Sequence, residues 1–333
     1  MRCRLHRTFS ALALAVILPA CGGSSTGPSP VPTPQVVTHP ATFVAFLDEN
    51  ENGAFESNEG TRIPGVEVVV GSVKGTSAAS SGAVTLQIPD GSQTFSVTAS
   101  SLPPFYRAAA GMTFTAPATS QIMVPVTMPR GSNRANVYMA FGDSITNGEP
   151  EVGDGNGYRR ILEGMLRAHF GSGEVANEGR DSTDTNFGVE IIGTRLAAIR
   201  PTFTLIHYGT NDWNNCKQVP CFTTPNLRFM VQQINRSRGH AFLASILPTN
   251  TGYDDRAPAS RNDWVAENNV LIKQIADEEG AVYVDLNGAF LKSGRALPTL
   301  FVDHVHPTAP GYQIMAQTWF DAITKAYSKI LAE

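Results

Sequence analysis

The sequence lacks an excess of basic residues, and beyond its first twenty positions it lacks any apolar run long enough to cross a membrane. Its 25 Lys and Arg residues are outnumbered by 29 Asp and Glu residues, and no basic stripe stands out along the chain. A protein with this charge is a poor candidate for binding nucleic acid. With 42% hydrophobic and 16% charged residues, the composition is that of a globular protein rather than a disordered or fibrous one. The 333 residues leave room for two domains.

Cysteine is also scarce, with four residues in the whole chain. Cys216 and Cys221 are spaced C-x4-C with Pro220 between them, and no further soft ligands lie nearby to complete a metal site. In an oxidising compartment, a disulfide that closes this short loop is therefore the expected pairing.

The first twenty residues have the layout of an export signal. Three arginines form a basic start, an apolar run follows over 11–18, and Leu18-Pro19-Ala20-Cys21 ends in small residues. We therefore expect residues 1–20 to be a signal peptide. Its removal takes away three arginines and no acids, which leaves 22 basic against 29 acidic residues and a net charge of −7.

The segment Leu18-Pro19-Ala20-Cys21 also resembles the bacterial lipobox, after which the cysteine becomes the lipidated first residue of the mature protein. The resemblance implies that Cys21 is lipidated and that contact with the membrane is made only through this lipid anchor. An ordinary secretory signal followed by an unrelated cysteine is the alternative. We expect an exported protein of the bacterial cell envelope, lipid-anchored at the outer membrane or cell surface.

Two shifts in composition divide the next part of the chain. Residues 21–40 are rich in Gly, Ser, Thr and Pro and offer little to bury, so they are predicted to form a tether. Residues 41–130 contain short alternating apolar runs, such as Val66–Val70 and Val84–Ile88, between clusters of turn residues. This pattern predicts a small all-β sandwich, followed by a polar linker over 130–134.

From residue 135 to residue 333, apolar runs alternate with amphipathic helices. The runs are Val137–Phe141, Thr204–Tyr208, Ala241–Leu247 and Ala281–Val284. Between them, apolar residues recur at helical spacing, for example over Phe187–Ile199. The alternation predicts a doubly wound α/β domain with a parallel sheet, whose ligand site lies at the carboxyl ends of the strands.

Three loops at these strand ends carry polar residues of interest. They are Gly142-Asp143-Ser144, Asn177-Glu178-Gly179 and Gly209-Thr210-Asn211-Asp212. Ser144 is a candidate nucleophile just past a strand, on a turn that Gly142 makes possible. The Gly179 backbone N–H and the Asn211 side-chain amide are donors of the kind that a developing oxyanion requires. Taken singly, each loop is also explained by turn and capping chemistry.

A fourth loop, Asp303-His304-Val305-His306-Pro307, precedes the last predicted helix. A general base needs a pKa near neutrality and a partner that orients it, and Asp303 lies three residues before His306. On one short loop this spacing lets the carboxylate reach the far nitrogen of the imidazole ring. A metal site using His304 and His306 is the alternative, although the sequence places no third ligand.

Together the four loops resemble the sequence blocks of the GDSL/SGNH hydrolase family, in the family's order, over residues from about 135 to the end. The resemblance implies an SGNH-hydrolase-like three-layer fold and a serine esterase that needs no cofactor for catalysis. It implies Ser144 as the nucleophile, His306 as the base and Asp303 as its orienting carboxylate. The implied oxyanion hole consists of the Ser144 and Gly179 backbone N–H groups and the Asn211 side chain. His304 stands where many members have a small residue, often Gly.

Three further residues have two interpretations each. Tyr158, in Gly-Tyr-Arg, resembles a motif of some carbohydrate-esterase members, but it equally fits a packing aromatic. Trp213 either lines the pocket or covers the end of the sheet. His207 lies within an apolar run and fits a hydrogen-bonded core histidine better than a catalyst.

The all-β region contains an acidic loop, Asp48 to Glu59, that matches the pattern D-x-[DN]-x-[DN]-G-x5-E. Alternating oxygen ligands, a turn glycine and a closing carboxylate suit Ca²⁺, but the flanking runs are strands and not the helices of an EF-hand. With Ile63–Val68 behind it, the loop resembles the Ca²⁺-binding B-type repeats of bacterial surface adhesins. The implied ligands are the side chains of Asp48, Asn50, Asn52 and Glu59 and the carbonyl of Ala54. A solvated acidic loop is the alternative.

The sequence therefore predicts an exported, monomeric serine esterase that hydrolyses short-chain or acetyl esters of carbohydrates or lipids. An envelope lysophospholipase or thioesterase is one alternative. A surface adhesion protein that uses the hydrolase fold as a scaffold is another, although the intact Ser, Gly, Asn and Asp-x-x-His positions argue against it.

Overall fold

The structure is a computed structural model, and it describes residues 36–148 and 157–325. The predicted signal peptide, Cys21 and most of the predicted tether lie outside the described residues. Within the described ranges, no helix combines the length and apolarity needed to span a bilayer. The described residues after Val36 fall in one compact unit.

The front part of the chain forms two four-stranded sheets, which confirms an all-β region. One sheet has the order β4-β1-β8-β6 and the other β3-β2-β5-β7. The strands are β1 (Thr38–Leu47), β2 (Glu67–Val70), β3 (Val73–Thr76), β4 (Ala83–Pro89), β5 (Gly91–Val97), β6 (Arg107–Ala108), β7 (Met112–Ala116) and β8 (Ile122–Thr127). β1 therefore begins inside the segment 21–40 that the composition marks as tether.

The second part is a five-stranded sheet in which every neighbouring pair is parallel. Its strands are β9 (Arg134–Gly142), β10 (Glu174–Gly179), β11 (Pro201–His207), β12 (His240–Ala244) and β13 (Val282–Val284). Their order, β10-β9-β11-β12-β13, is that of a doubly wound sheet. The chain leaves β9 for β10 on one side and then crosses to β11 on the other, so the carboxyl ends of β9 and β11 flank a crevice where such folds bind ligands.

Helices cover both faces of the parallel sheet. They are α1 (Ser144–Asn147), α2 (Gly157–Phe170), α3 (Thr185–Ile199), α4 (Thr223–Arg236), α5 (Ala259–Glu279), α6 (Leu286–Leu291) and α7 (Ala309–Thr324). Along β9, Tyr138 and Ala140 join one core cluster with α2 and α7, while Met139 and Phe141 join another with α3, α4 and α5. This alternation on a buried strand confirms the three-layer α/β fold.

The all-β part packs against the amino ends of the parallel strands. Phe105 stacks on His240 with ring centroids 4.2 Å apart, and Tyr106 contacts Phe203 at 6.5 Å. Two backbone hydrogen bonds reach the last turn of α2, one of them from Arg62 N–H to the Phe170 carbonyl at 3.0 Å. One apolar cluster runs through both parts. The front sheets therefore sit at the edge opposite to the strand ends that carry the four polar loops.

Candidate active site

Ser144 lies where β9, an interior strand of the parallel sheet, ends and α1 begins. A Cβ atom at Gly142 would lie 2.3 Å from both the His207 carbonyl oxygen and the Thr146 hydroxyl oxygen. Only glycine fits there without displacing the neighbouring strand, because real Cβ atoms do not approach so closely. The turn that presents Ser144 therefore depends on Gly142.

Asp143 caps the short helix that starts at Ser144. Its carboxylate accepts the Ile145 N–H at 3.0 Å, and its second oxygen has no hydrogen-bond partner among the described residues. Burial raises the pKa of Asp143 to about 7, against the opposing effect of the Ile145 N–H and the nearby His306. Asp143 is thus a buried acid beneath the nucleophile.

Ser144, His306 and Asp303 form a continuous chain of hydrogen bonds. The Ser144 Oγ lies 2.8 Å from His306 Nε2, and His306 Nδ1 lies 2.8 Å from Asp303 Oδ2. The side chains of His306 and Asp303 are 19% and 25% exposed, so the relay is partly shielded but reachable. This is the geometry in which an imidazole oriented by a carboxylate removes a proton from a serine hydroxyl.

The other Asp303 oxygen is held by the backbone of its own loop. Oδ1 accepts the N–H of Val305 at 2.8 Å and the N–H of His306 at 2.7 Å. Burial alone would raise the pKa of Asp303, but the hydrogen bonds from the His306 ring and from these two backbone groups outweigh it. The pKa is held well below its usual range, so Asp303 is ionised wherever the protein is folded near neutral pH.

The loop that carries this relay closes on itself and is anchored from outside. Phe301 bridges to Pro307, and the Val302 N–H donates to the His306 carbonyl at 2.9 Å. Asn250 donates from its side chain to the Asp303 carbonyl at 3.1 Å. Sequence reasoning missed Asn250, because nothing in its surroundings links it to a loop more than fifty residues away.

The three predicted oxyanion donors lie at the ends of β9, β10 and β11. Asn211 Nδ2 donates to the Thr183 carbonyl at 2.9 Å and retains a second N–H, since an amide nitrogen carries two. The single N–H of Gly179 donates to Asn177 Oδ1 at 2.9 Å. A Cβ atom at Gly179 would lie 2.1 Å from the Asn147 backbone nitrogen, so this glycine also serves close packing. The oxyanion role of Gly179 stays a prediction.

Two buried charged residues, Asp212 and Arg261, hold the loop that contains Asn211. Asp212 accepts hydrogen bonds from the Thr185 N–H at 3.1 Å, from the Thr185 hydroxyl, and from the Thr223 hydroxyl at 2.9 Å. Burial raises its pKa to about 6, opposed by these hydroxyls. Arg261 donates to the Thr210 carbonyl at 2.9 Å. The sequence offers no signal for Arg261, because a helical arginine is ordinarily a surface residue.

Comparison with known proteins agrees with this site. The model of the GDSL-like lipase/acylhydrolase family matches residues 140–314, somewhat more than half of the chain.

The chain belongs to this family.

The GDSL-like family consists of carboxylic ester hydrolases, and the matched range contains all four of the predicted loops. A multidomain esterase from Ruminococcus flavefaciens is 25% identical over 240 residues, a match that covers 59% of this chain and 29% of the relative. The chain therefore corresponds to less than a third of that relative's length.

Two solved structures resemble the chain at low identity. An acetylxylan esterase from Geobacillus stearothermophilus is 22% identical, with 59% of this chain and 99% of that one covered and a TM-score of 0.48. An alpha/beta hydrolase enzyme from the metagenome of Lake Arreo, Spain, is 20% identical, with 59% and 98% covered and a TM-score of 0.46. Neither likeness bears on the substrate of this GDSL-like chain.

The sequence left two interpretations for each of Tyr158, Trp213 and His207, and the structure buries all three. Tyr158 is fully buried and stacks on Trp319 with ring centroids 6.2 Å apart. Trp213 is 5% exposed and packs edge-on against Trp264. His207 is buried, and burial lowers its pKa to about 4. Neither ring nitrogen of His207 has a hydrogen-bond partner among the described residues, so the expectation of a hydrogen-bonded histidine is not met.

Cys216 and Cys221 are joined by a disulfide, with Cα atoms 6.1 Å apart. The loop that it closes follows the short 3₁₀ helix Asp212–Asn214, which begins directly after Asn211. Lys217, inside the loop, places its ammonium 4.5 Å from the centroid of a Trp213 ring. The disulfide therefore closes a loop that begins five residues after Asn211.

The acidic loop of the front part folds around its own backbone amides. Asp48 accepts the N–H groups of Asn52 at 3.2 Å and Gly53 at 2.8 Å. Glu59 accepts those of Glu49 at 2.8 Å and Glu56 at 3.0 Å. Asp48 and Glu59 are buried, at 2% and 1% exposure, which is unusual for carboxylates without cationic partners.

Three further side chains complete the loop. Asn50 and Asn52 use their side-chain oxygens to accept the N–H groups of Asn52 and Ala54, respectively. One Glu56 oxygen is buried without a hydrogen-bond donor. Among the described residues, no three His, Cys, Asp or Glu side chains are grouped as a metal site would group them, so Ca²⁺ here would depend on amide and carbonyl oxygens as well. Sequence reasoning did not single out Glu56.

Proposed function

We propose that the chain is a serine esterase that hydrolyses short-chain acyl esters, acetyl esters among them, of carbohydrates. The observation that carries the proposal is the relay from Ser144 through His306 to Asp303, at 2.8 Å for each step. Family membership supports hydrolysis of a carboxylic ester, and the relay supplies the activated nucleophile that this reaction requires.

The mechanism follows from the proton positions that the relay favours. His306 donates its Nδ1–H to the ionised Asp303, so Nε2 is the acceptor that faces the Ser144 hydroxyl. Nε2 takes the hydroxyl proton as Oγ attacks the ester carbonyl, and the imidazolium then gives that proton to the leaving alcohol. Water hydrolyses the acyl-enzyme by the same steps, with His306 again as the base.

Charge that develops on the carbonyl oxygen is stabilised by hydrogen-bond donors. We assign this role first to the backbone N–H of Ser144 and to the second side-chain N–H of Asn211, which is not the one bound to Thr183. Gly179 joins them if substrate displaces the Asn177 side chain from its N–H. The Asp212 and Arg261 contacts keep Asn211 in place.

A carbohydrate alcohol is favoured by the polar rim of the site. On one side Asn147 donates to Asp181 at 2.8 Å. On the other, Arg256 donates to Asp254 at 3.0 Å and lies close enough to Asp303 for their charges to interact. Amide, carboxylate and guanidinium groups suit the hydroxyls of a sugar better than a long acyl chain.

The test uses purified protein and a panel of p-nitrophenyl esters of graded chain length, acetylated sugars and lysophospholipid. We expect hydrolysis of p-nitrophenyl acetate and acetylated sugars that Ser144→Ala abolishes. Ser260→Ala, on the exposed start of α5, serves as the matched control and should keep full activity. Full activity of Ser144→Ala would refute the proposal, and a preference for lysophospholipid or long acyl chains would replace it with the envelope lipase alternative.

We further propose that the acidic loop binds Ca²⁺, with Asp48, Asn50, Asn52, Glu59 and the Ala54 carbonyl as ligands. Burial of two carboxylates and a Glu56 oxygen without a donor supports this, because a cation would offset the cost of desolvating them. The ion would be structural, since the loop belongs to the front sheets and not to the relay.

Calorimetry and thermal unfolding test the calcium proposal. Ca²⁺ at about one hundred times its dissociation constant should stabilise the protein by roughly 2.7 kcal/mol, and chelation should remove that gain. Glu59→Gln should abolish the response, whereas Asp90→Asn, an exposed acid paired with His39, should leave it intact. An unchanged melting temperature with and without Ca²⁺ would contradict the proposal.

We also propose export and lipid anchoring through Cys21, which lies outside the described residues. The basic start, the apolar run and the lipobox-like segment support it. Labelling with a fatty-acid analogue in a bacterial host should mark the wild-type protein and not Cys21→Ser. Equal labelling of both would contradict the proposal.

A further inference from the structure

The Asp303 carboxylate faces two imidazole rings, and only one of them belongs to the relay. Its Oδ2 atom lies 2.8 Å from His306 Nδ1 and 3.7 Å from His304 Nδ1. The His304 side chain is 12% exposed, and its Nδ1 atom is buried without a hydrogen-bond partner among the described residues. A buried polar nitrogen aimed at a carboxylate is costly unless it interacts with that carboxylate.

The backbone around His304 is held by Asn250 and by the loop's own hydrogen bonds. The Asn250 backbone N–H donates to the His304 carbonyl at 2.9 Å, and the Asn250 side chain donates to the Asp303 carbonyl at 3.1 Å. The next two backbone N–H groups of the loop bind Asp303 Oδ1. These contacts fix the backbone on which the His304 side chain is placed beside Oδ2.

The charges around His304 favour its neutral form. Burial lowers the pKa of His304, as do the guanidinium groups of Arg256, from the loop before α5, and Arg261, from α5 itself. Asp303 and Asp254 oppose them. His306, on the same loop, is close enough to the buried Asp143 carboxyl for their charges to interact, and Asp143 is the same in every variant compared below. A neutral imidazole next to a carboxylate prefers the tautomer with its proton on the nitrogen that faces the carboxylate, here Nδ1.

We propose that His304 is a positioning residue for the relay: its Nδ1–H, 3.7 Å from Asp303 Oδ2, is attracted to the oxygen that binds His306 and so sets how tightly Asp303 holds the His306 proton. The inference rests on the proposed function. A carboxylate oxygen that serves two N–H groups is a weaker partner for each than one that serves a single group. His306 consequently stays a free base down to a lower pH than it would with Asp303 to itself.

Because His304 and His306 interact with the same carboxylate, the direction in which the pKa of His306 changes on replacement of His304 can be predicted. Without His304, the carboxylate interacts more strongly with protonated His306 and raises its pKa. The acidic limb of the pH profile of kcat/KM, which reports the base of the free enzyme, then moves to higher pH. A packing role for His304 would change stability or the overall rate, but it would leave that limb where it is.

The test compares His304→Leu, which removes the N–H, with His304→Asn, whose side-chain amide places a donor where Nδ1 was. We expect the limb to move up by roughly half a pH unit in His304→Leu, because the carboxylate then acts on His306 alone. In His304→Asn the limb should stay close to the wild-type position. His39→Leu, in the front sheets, is the control and should not move it.

The same variants are followed by nuclear magnetic resonance titration of the His306 ring in folded protein, which needs no turnover. A raised pKa of His306 in His304→Leu, restored in His304→Asn, supports the inference even if no ester is hydrolysed, in which case the proposed function fails by itself. An unchanged pKa of His306 in folded His304→Leu overturns the inference, as does an equal shift in both variants. Should His304→Leu not fold, His304→Gln removes the donor from the Nδ1 position and is judged by the same outcomes.

Discussion

Asp143 lies directly beneath the nucleophile and is the residue whose titration most affects stability near neutral pH. Its folded-state pKa of about 7 lies above the ordinary aspartate value of 3.8, so the folded protein binds this proton more tightly than the unfolded chain. The stability it contributes is complete below about pH 4 and is lost as the pH rises through 7.

Replacement of this carboxyl by an amide removes the titration. As the pH is raised from 5 to 8, the free energy of unfolding measured with urea should therefore fall less for Asp143→Asn than for the wild type. Asp90→Asn, an exposed acid of the front sheets, is the control and should follow the wild-type curve. If the free energy of unfolding fell equally with pH in Asp143→Asn and in the wild type, the buried carboxyl would not be protonated in the folded protein.

Asn211 is the residue on which oxyanion stabilisation depends most directly. Asn211→Ala should lower kcat by about 10²–10³ with little change in KM, since the donor matters in the transition state. Asn215→Ala, an exposed amide 3.4 Å from Asp184, is the matched control. A kcat within a few-fold of wild type would remove Asn211 from the oxyanion hole.

The chemistry-bearing residues could be predicted from the sequence because each is tied to a neighbour along the chain. Asp303 and His306 share one loop, and Ser144 lies two residues after its turn glycine, Gly142. Asn250 and Arg261 could not be predicted, because their partners are distant in sequence. The hydrogen bond from the Gly179 N–H to Asn177 Oδ1 was not predicted either, although these residues lie only two positions apart.

At the scale of strands and helices, strands that bury an apolar run were predicted, and strands that bury little were not. β9 is buried from Asn136 onward and β11 is buried throughout, and their apolar runs mark them clearly. β3 lies at the edge of its sheet and has no fully buried residue, so no apolar pattern reveals it. β7 also lies at an edge. Its residues are alternately partly buried and exposed, and only the last one, Ala116, is buried.

The strand-to-helix turn before Ser144 is the element on which the site depends. Gly142→Ala should lower the free energy of unfolding by about 1–3 kcal/mol, since its Cβ would overlap the neighbouring strand. Its activity should fall as well. Gly193→Ala, in α3 with no atom within 4 Å of the new Cβ, should instead raise stability by roughly 0.5–1 kcal/mol. Equal stability of the two variants would contradict the packing argument.

At the scale of the whole molecule, the front sheets form a base for the hydrolase part. Arg130 donates to the Glu49 carbonyl at 2.7 Å beside the acidic loop, and Asn133 donates to the Ser237 carbonyl at 3.0 Å. Both contacts lie before the amino ends of parallel strands, β9 and β12, whereas Ser144 follows the carboxyl end of β9. The front sheets therefore support the fold and do not line the relay.

Unfolding experiments report on this coupling. All three tryptophans, Trp213, Trp264 and Trp319, belong to the hydrolase part, whereas far-ultraviolet circular dichroism detects both parts. The two signals should give one coincident urea transition, since a single core joins the parts. Tyr106→Ala should shift both signals together. Separate transitions would show two independently stable domains.

The central claim is that His306 and Asp303 activate Ser144, and covalent labelling tests it most directly. A fluorophosphonate reacts only with an activated serine, so mass spectrometry of the labelled wild-type protein should place the adduct on Ser144. Ser144→Ala should take up no label, and His306→Ala should label far more slowly. An adduct on another residue, or wild-type protein that remains unlabelled, would contradict the account.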